Sequence, residues 1–152
     1  MAEPDSGAPP LQSAIDVHAH FITPRLREAM VATGHAMPDG MAAIPEWEPH
    51  AALTTMDRTG IASAVLSVSS PGVLLTDDPA DARELARAVN EEGAAIVGRH
   101  PDRFGLLASL PLPDVDAAIH EIGYAFDELG VDGIALEMLC RGNAAALFPR
   151  LA

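Results

Sequence analysis

Apolar positions along this chain follow two rhythms. Four short runs, at 14–18, 63–68, 104–110 and 133–137, are nearly continuous in Ala, Val, Ile and Leu, the pattern of strands buried on both faces. Between them apolar residues recur three and four apart, the pattern of helices with one inward face. Thr23-Pro24 opens the first helix, which runs to about Thr33 with Gly34 as its stop. Pro49 opens the second, with Ala52, Leu53 and Met56 facing inward and Gly60 at its end.

The third and longest helix follows Asp77-Asp78-Pro79, and Ala82, Leu85, Ala86, Val89, Ile96 and Val97 mark its buried side. Asp114 caps the fourth, whose predicted core stripe is Val115, Ala118, Ile119, Ile122, Phe126 and Leu129, closed by Gly130. His120 lies about 140° from that stripe at ~100° per residue, so it is expected on the outer side together with Tyr124. Strands alternating with amphipathic helices give an α/β chain, a parallel sheet covered by helices.

The connections are unequal. Segments that enter strands are short, whereas those that leave them are long: residues 21–48 hold a helix and a loop, and 69–79 form a Ser/Pro/Gly/Asp loop. In parallel α/β proteins the carboxyl ends of strands carry the functional loops. The tripeptide His18-Ala19-His20 falls at such an end. Side chains two apart on a strand share a face, so both imidazoles project together, as two ligands of one metal must.

Composition narrows the chemistry. Lysine is absent, and nine arginines face 22 acids for a net charge of −13. That balance excludes nucleic-acid binding by phosphate neutralisation and docking on an anionic membrane. With 49% hydrophobic but only 4% aromatic residues, the core must be built from aliphatic side chains. Cys140 is the only cysteine, so no internal disulfide forms, and a reducing, cytoplasmic location is expected. Residues 1–13 are acidic and Pro-rich without an apolar run; they read as a disordered tail and not as a signal peptide. No stretch approaches the ~20 apolar residues of a membrane span.

Several segments together resemble a known family. Ile15-Asp-Val-His-Ala-His20 is similar to the first-strand metal motif of the amidohydrolase superfamily. Met56-Asp-Arg-Thr-Gly-Ile-Ala-Ser-Ala-Val-Leu-Ser67, Ser70-Pro-Gly72, Ala86-Arg-Ala-Val-Asn90, His100-Pro-Asp-Arg-Phe104, Ala108-Ser-Leu-Pro-Leu-Pro113 and Gly130-Val-Asp-Gly-Ile134 resemble its aminocarboxymuconate-semialdehyde decarboxylase-like branch. The resemblance runs over 13–137 and implies a metal-dependent (β/α)8 TIM barrel, of which this chain carries the first four βα units, a truncated half-barrel. It implies a divalent ion, usually Zn2+, with His18 and His20 as two ligands. The family's other ligands follow its fifth and eighth strands and its catalytic histidine the sixth, so no residue here receives those roles. Residues 138–152 depart from the family pattern, and a frameshift or premature stop is the expected origin of that tail.

The activity implied by the resemblance is decarboxylation or hydrolysis of a small carboxylated substrate, with this chain catalytically incomplete. The rival expectation is a non-catalytic half-barrel that dimerises, or binds a partner, through its open sheet edges. Three residues are candidate substrate contacts, each with a plainer alternative. Trp47 either lines a pocket or packs over a helix end; Ser70 either approaches substrate or belongs to a turn; Glu137 either binds a ligand or is a solvated loop acid. His35 and His50 are ordinary loop and first-turn histidines, His100 a helix-end cap, and Cys140 lacks a partner that would make it a nucleophile.

Overall fold

Three of the four described α-helices begin where the sequence supplies a side-chain acceptor for one of the first orphan amides. In a computed structural model of the chain, which describes residues 14–135, Thr23 caps α1 (Pro24–Ala32) by accepting from the Leu26 amide at 3.2 Å. Asp78 caps α3 (Pro79–Arg99) through the Ala80 amide at 2.8 Å, and Asp114 caps α4 (Val115–Asp127) through the Ala117 amide at 3.0 Å. The helix α2 (Pro49–Thr59) starts on proline and ends at Gly60, whose φ of +74° is the left-handed conformation glycine adopts without strain.

The strands β1 (Ala14–Phe21), β2 (Ile61–Val68), β3 (Phe104–Ala108) and β4 (Gly133–Ile134) form one parallel sheet in the order β1-β2-β3-β4. The four strands and the helices between them sit where the apolar rhythm predicts them. β1 extends further than its apolar run, so the two histidines lie within the strand and Phe21 ends it. The tail at 1–13, the segment 138–152, Glu137 and Cys140 lie outside the described residues. No described helix is long and apolar enough to cross a membrane.

The core lies between the sheet and its helices. Phe21, Leu66, Leu106, Met30, Val89 and Ile96 are buried there. At Gly93 α3 comes so close to the sheet that a Cβ would sit 2.9 Å from Leu106 and 3.1 Å from Phe21, so those side-chain tips would have to shift to admit one.

Two compensating bulges shape the β1–β2 pair. Ala14 pairs with Ile61 but Ile15 with Ser63, which leaves Ala62 extra in β2; Asp16 pairs with Ala64 but Ala19 with Leu66, which leaves one residue extra in β1. Side chains meet the backbone groups at both places. The Arg103 guanidinium donates to the Ala62 carbonyl at 2.8 Å, and the Asp16 carboxylate accepts from the His18 amide at 3.0 Å.

The fourth helix corrects one expectation. Its buried residues are Ala118, Glu121 and Ala125, while Val115, Ile119 and Phe126 are exposed at 62%, 61% and 46%. The reason is a charged network on the side facing α3. Arg87 holds Glu121 at 2.9 Å, Asn90 donates to the same carboxylate at 2.8 Å, and the two sides of the helix are thereby fixed. Of the predicted stripe, Ala118 is buried and Leu129 packs against the core, whereas Val115, Ile119 and Phe126 lie at the surface. Tyr124, expected outside, is half-buried at the surface, with the Arg87 guanidinium 3.5 Å over its ring and its hydroxyl donating to Glu91 at 2.9 Å.

Candidate functional site

Because parallel partners share a face, the β1 bulge decides where each residue of Ile15-Asp-Val-His-Ala-His20 points. Ala64, Leu66 and Val68 face the helices, so their partners Asp16, Ala19 and Phe21 do too. Val17 and His18 occupy the widened step, and His18 and His20 share the opposite face at the carboxyl end of β1. Their ring centroids are 4.6 Å apart and nearly perpendicular. His18 is exposed and His20 half-buried.

The second imidazole is held from β2. His20 pairs with Ser67, and its Nδ1 lies 3.3 Å from both the carbonyl oxygen and the hydroxyl of that residue. A protonated Nδ1 donating there puts the ring's lone pair on Nε2, the arrangement by which an outer partner fixes the tautomer of a metal-binding histidine. The donor set therefore fits a divalent ion of intermediate softness, with His18 and His20 as the residues able to hold it. Among the described residues no cluster of three or more His, Cys, Asp or Glu exists that would complete a coordination shell. Asp16 is kept out of such a cluster by the bulge, which turns its side chain to the helix side.

Trp47 lies on that helix side as well. It packs edge-on against Phe21 at 5.8 Å and against Phe104 at 6.4 Å, and borders a cavity of about 290 Å3 with Asp16, Ala52 and Met56. Trp47 thus both packs against aromatic neighbours and lines a cavity, on the side of the sheet opposite the imidazoles. Ser70 is exposed in the loop after β2 and donates to Asp39 at 3.0 Å, tying that loop to the one after β1. Glu137 lies outside the described residues.

Two contributors, Ser67 and Asn90, end family-like segments whose sequence gives neither of them a role at the site. Ser67 shows itself only through the pairing register. Asn90 stands behind the end of β3: its amide donates to the Ser109 carbonyl at 2.9 Å and accepts from the Ser109 amide at 2.8 Å. This fixes the exit of β3 on the same edge of the sheet as the histidines. The Arg87 guanidinium that anchors the network has its pKa raised, chiefly by its hydrogen bond to Glu121.

A family model described as amidohydrolase matches residues 15–150. The chain belongs to the amidohydrolase family. Its four parallel strands and the helices between them match the first βα units of the amidohydrolase barrel. The decarboxylase yanB of Aspergillus niger is 42% identical over 126 residues, covering 80% of this chain and 34% of its own length. The 6-methylsalicylic acid decarboxylase acuB of Aspergillus aculeatus is 41% identical over 123 residues, covering 80% and 37%. Among solved structures, the 5-carboxyvanillate decarboxylase of Novosphingobium aromaticivorans, complexed with manganese and 4-hydroxy-3-methoxy-5-nitrobenzoic acid, superposes with a TM-score of 0.67 at 27% identity. That match covers 80% of this chain and 40% of the solved one. The chain thus spans about a third of the length of the curated relatives it matches.

Proposed function

We propose that this chain contributes the first two metal ligands of a decarboxylase acting on a small carboxylated aromatic acid. The observation that carries the reading is the His18/His20 pair on one face at the carboxyl end of β1, with Ser67 behind His20. The matched relatives that are decarboxylases, and the manganese and nitrobenzoate of the solved relative, support the same class of ion and substrate. Zn2+ remains the ion best suited to two imidazoles, since nitrogen donors prefer it to Mn2+; both belong in the test.

When bound, a divalent ion supplies Lewis acidity toward a substrate carboxylate or phenolic oxygen. The work of this chain's own residues is positional. His18 and His20 present neutral nitrogens from one strand, Ser67 holds the second ring by its Nδ1, and Asn90 keeps the neighbouring strand exit in place.

The test loads the chain with Zn2+ or Mn2+, measures bound metal, and follows carbon dioxide release from 6-methylsalicylate and 5-carboxyvanillate. Metal uptake that disappears in both His18→Ala and His20→Ala is the expected result. Uptake unaffected by either change overturns the ligand assignment, and metal-loaded chain inert to every carboxylated aromatic acid removes decarboxylation by this chain alone.

The second reading, association through the open sheet face, is favoured by Ile15 and Val17, exposed at 63% and 70% beside the histidines. Light scattering after size-exclusion chromatography decides it: a monomer at all concentrations ends that reading.

A further inference from the structure

The step in β1 that separates Asp16 from the imidazoles also ties it to one of them. A regular strand would place residues 16, 18 and 20 on a single face. The extra residue between Asp16 and Ala19 breaks this alternation, and Asp16 turns to the helix side, where it lines the cavity beside Ala19 and Trp47. A bulge leaves a backbone group outside the ladder. Here the His18 amide is met by the Asp16 carboxylate at 3.0 Å, a charge-assisted bond of ordinary length. The backbone orientation at His18 sets where its ring projects, and the ring stands 4.6 Å from that of His20.

We infer that Asp16 is a positioning residue for the metal pair: its carboxylate clamps the His18 amide inside the bulge and thereby aims the His18 ring at the point His20 faces. The inference rests on the proposed metal-binding role of the two histidines. Three features argue for a clamp over an incidental surface contact. The bond lies within the strand, at the one irregular step on the ligand side of the pair. His20, the other ring, has a separate support in Ser67, so without Asp16 the exposed His18 ring would be the less constrained of the two. The mirror-image irregularity in β2 is satisfied in the same way, by Arg103 on the Ala62 carbonyl, which shows that this strand pair holds its bulges with side chains.

The test compares native chain, Asp16→Asn and Asp16→Ala by two measurements. Zn2+ affinity is read by competition with a chromophoric chelator, and exchange of the His18 amide is read by NMR on metal-free protein. Asparagine keeps an acceptor oxygen and should stay within about threefold of native affinity; alanine should lose roughly tenfold, the lower end of what outer-sphere partners of metal ligands contribute. The His18 amide should be protected in the native chain and exchange at least about tenfold faster in Asp16→Ala, with neighbouring β2 amides unchanged.

Native-like Zn2+ affinity in a folded Asp16→Ala overturns the inference. If Asp16→Ala does not fold, a native His18 amide that exchanges as fast as unstructured chain overturns it equally. Should the native chain take up no Zn2+, the proposed metal role fails on its own, while the amide measurement still decides whether the clamp exists.

Discussion

Asn90 grips Ser109 by both of its backbone groups, donating to the carbonyl at 2.9 Å and accepting from the amide at 2.8 Å, while the same Nδ2 also reaches Glu121 at 2.8 Å. All three residues are buried. Truncation leaves two backbone groups and a carboxylate oxygen without partners. Asn90→Ala should therefore cost about 3 kcal/mol, at ~1–3 kcal/mol per stranded group, measured by urea unfolding. A loss below about 1 kcal/mol would mean that water replaces the side chain.

The orientation of α4 gives a paired prediction that inverts its apolar periodicity. Ile119→Ser should change stability by no more than about 0.5 kcal/mol, as at other exposed positions. Glu121→Ala should cost roughly 2 kcal/mol; the usual loss for breaking a buried pair is larger, but the Arg87 side chain is 41% exposed and can turn to water. Thermal or chemical melts of the two variants check this, and the opposite ranking would show that the stripe faces the core.

Gly93 tests the contact between α3 and the sheet. Alanine is the better helix former by about 1 kcal/mol, yet its Cβ would meet Leu106 at 2.9 Å and Phe21 at 3.1 Å, both buried and held by their neighbours. Overpacking costs ~1–3 kcal/mol, so Gly93→Ala should be destabilising by about 1 kcal/mol net. A higher melting temperature would show that the two side chains give way.

Ser67→Ala separates the two acceptors that face the His20 ring. The carbonyl and the hydroxyl stand at the same 3.3 Å from Nδ1, and only the hydroxyl is removed. Zn2+ affinity should fall by less than about tenfold, short of the full effect of losing an outer partner, and chelator competition measures it. A loss as large as that of His20→Ala would mean that the hydroxyl alone holds the ring.

Asp114 contributes a pH-dependent share of stability. Its carboxyl is held below the usual carboxylate range, first by the Ala117 amide and then by Arg83. Folding favours the charged form, so the contribution is complete above the unfolded-state value of about 3.9 and is lost as pH falls through the lower folded value. Asp114→Asn keeps a capping oxygen but does not titrate. Its stability between about pH 4 and 2 should therefore decline less steeply than that of the native chain; parallel curves would remove Asp114 from the acid response.

The strand–helix alternation was legible because burial on two faces and burial on one leave different spacings, and because Pro24, Pro49 and Pro79 stand at helix starts. The histidine pair was legible because residues two apart share a face and lie near a strand's end. What escaped depends on contacts between distant segments. Asp16 looks like a third strand-face residue until the bulge, set by the pairing of Asp16 with Ala64 and of Ala19 with Leu66, turns it away. Glu121 looks like a solvent residue until Arg87 and Asn90 from another helix satisfy it. Trp47 lies in a loop whose path is fixed by Phe21 and Phe104, residues far from it in the chain.

The extra residue in β1 can be viewed as slack in a taut line. Removing Val17 would bring β1 into regular step with β2 from Asp16 onward, with Asp16, Ala19 and Phe21 still toward the helices and both histidines still opposite. The core would have the same occupants, and the polarity pattern of the strand would read more cleanly. What would vanish is the loop of backbone that lets a side chain from one side of the sheet reach a peptide group serving the other. The strand is one residue longer than its packing demands, and that surplus gives a side chain on the helix side of the sheet a route to the backbone that carries His18.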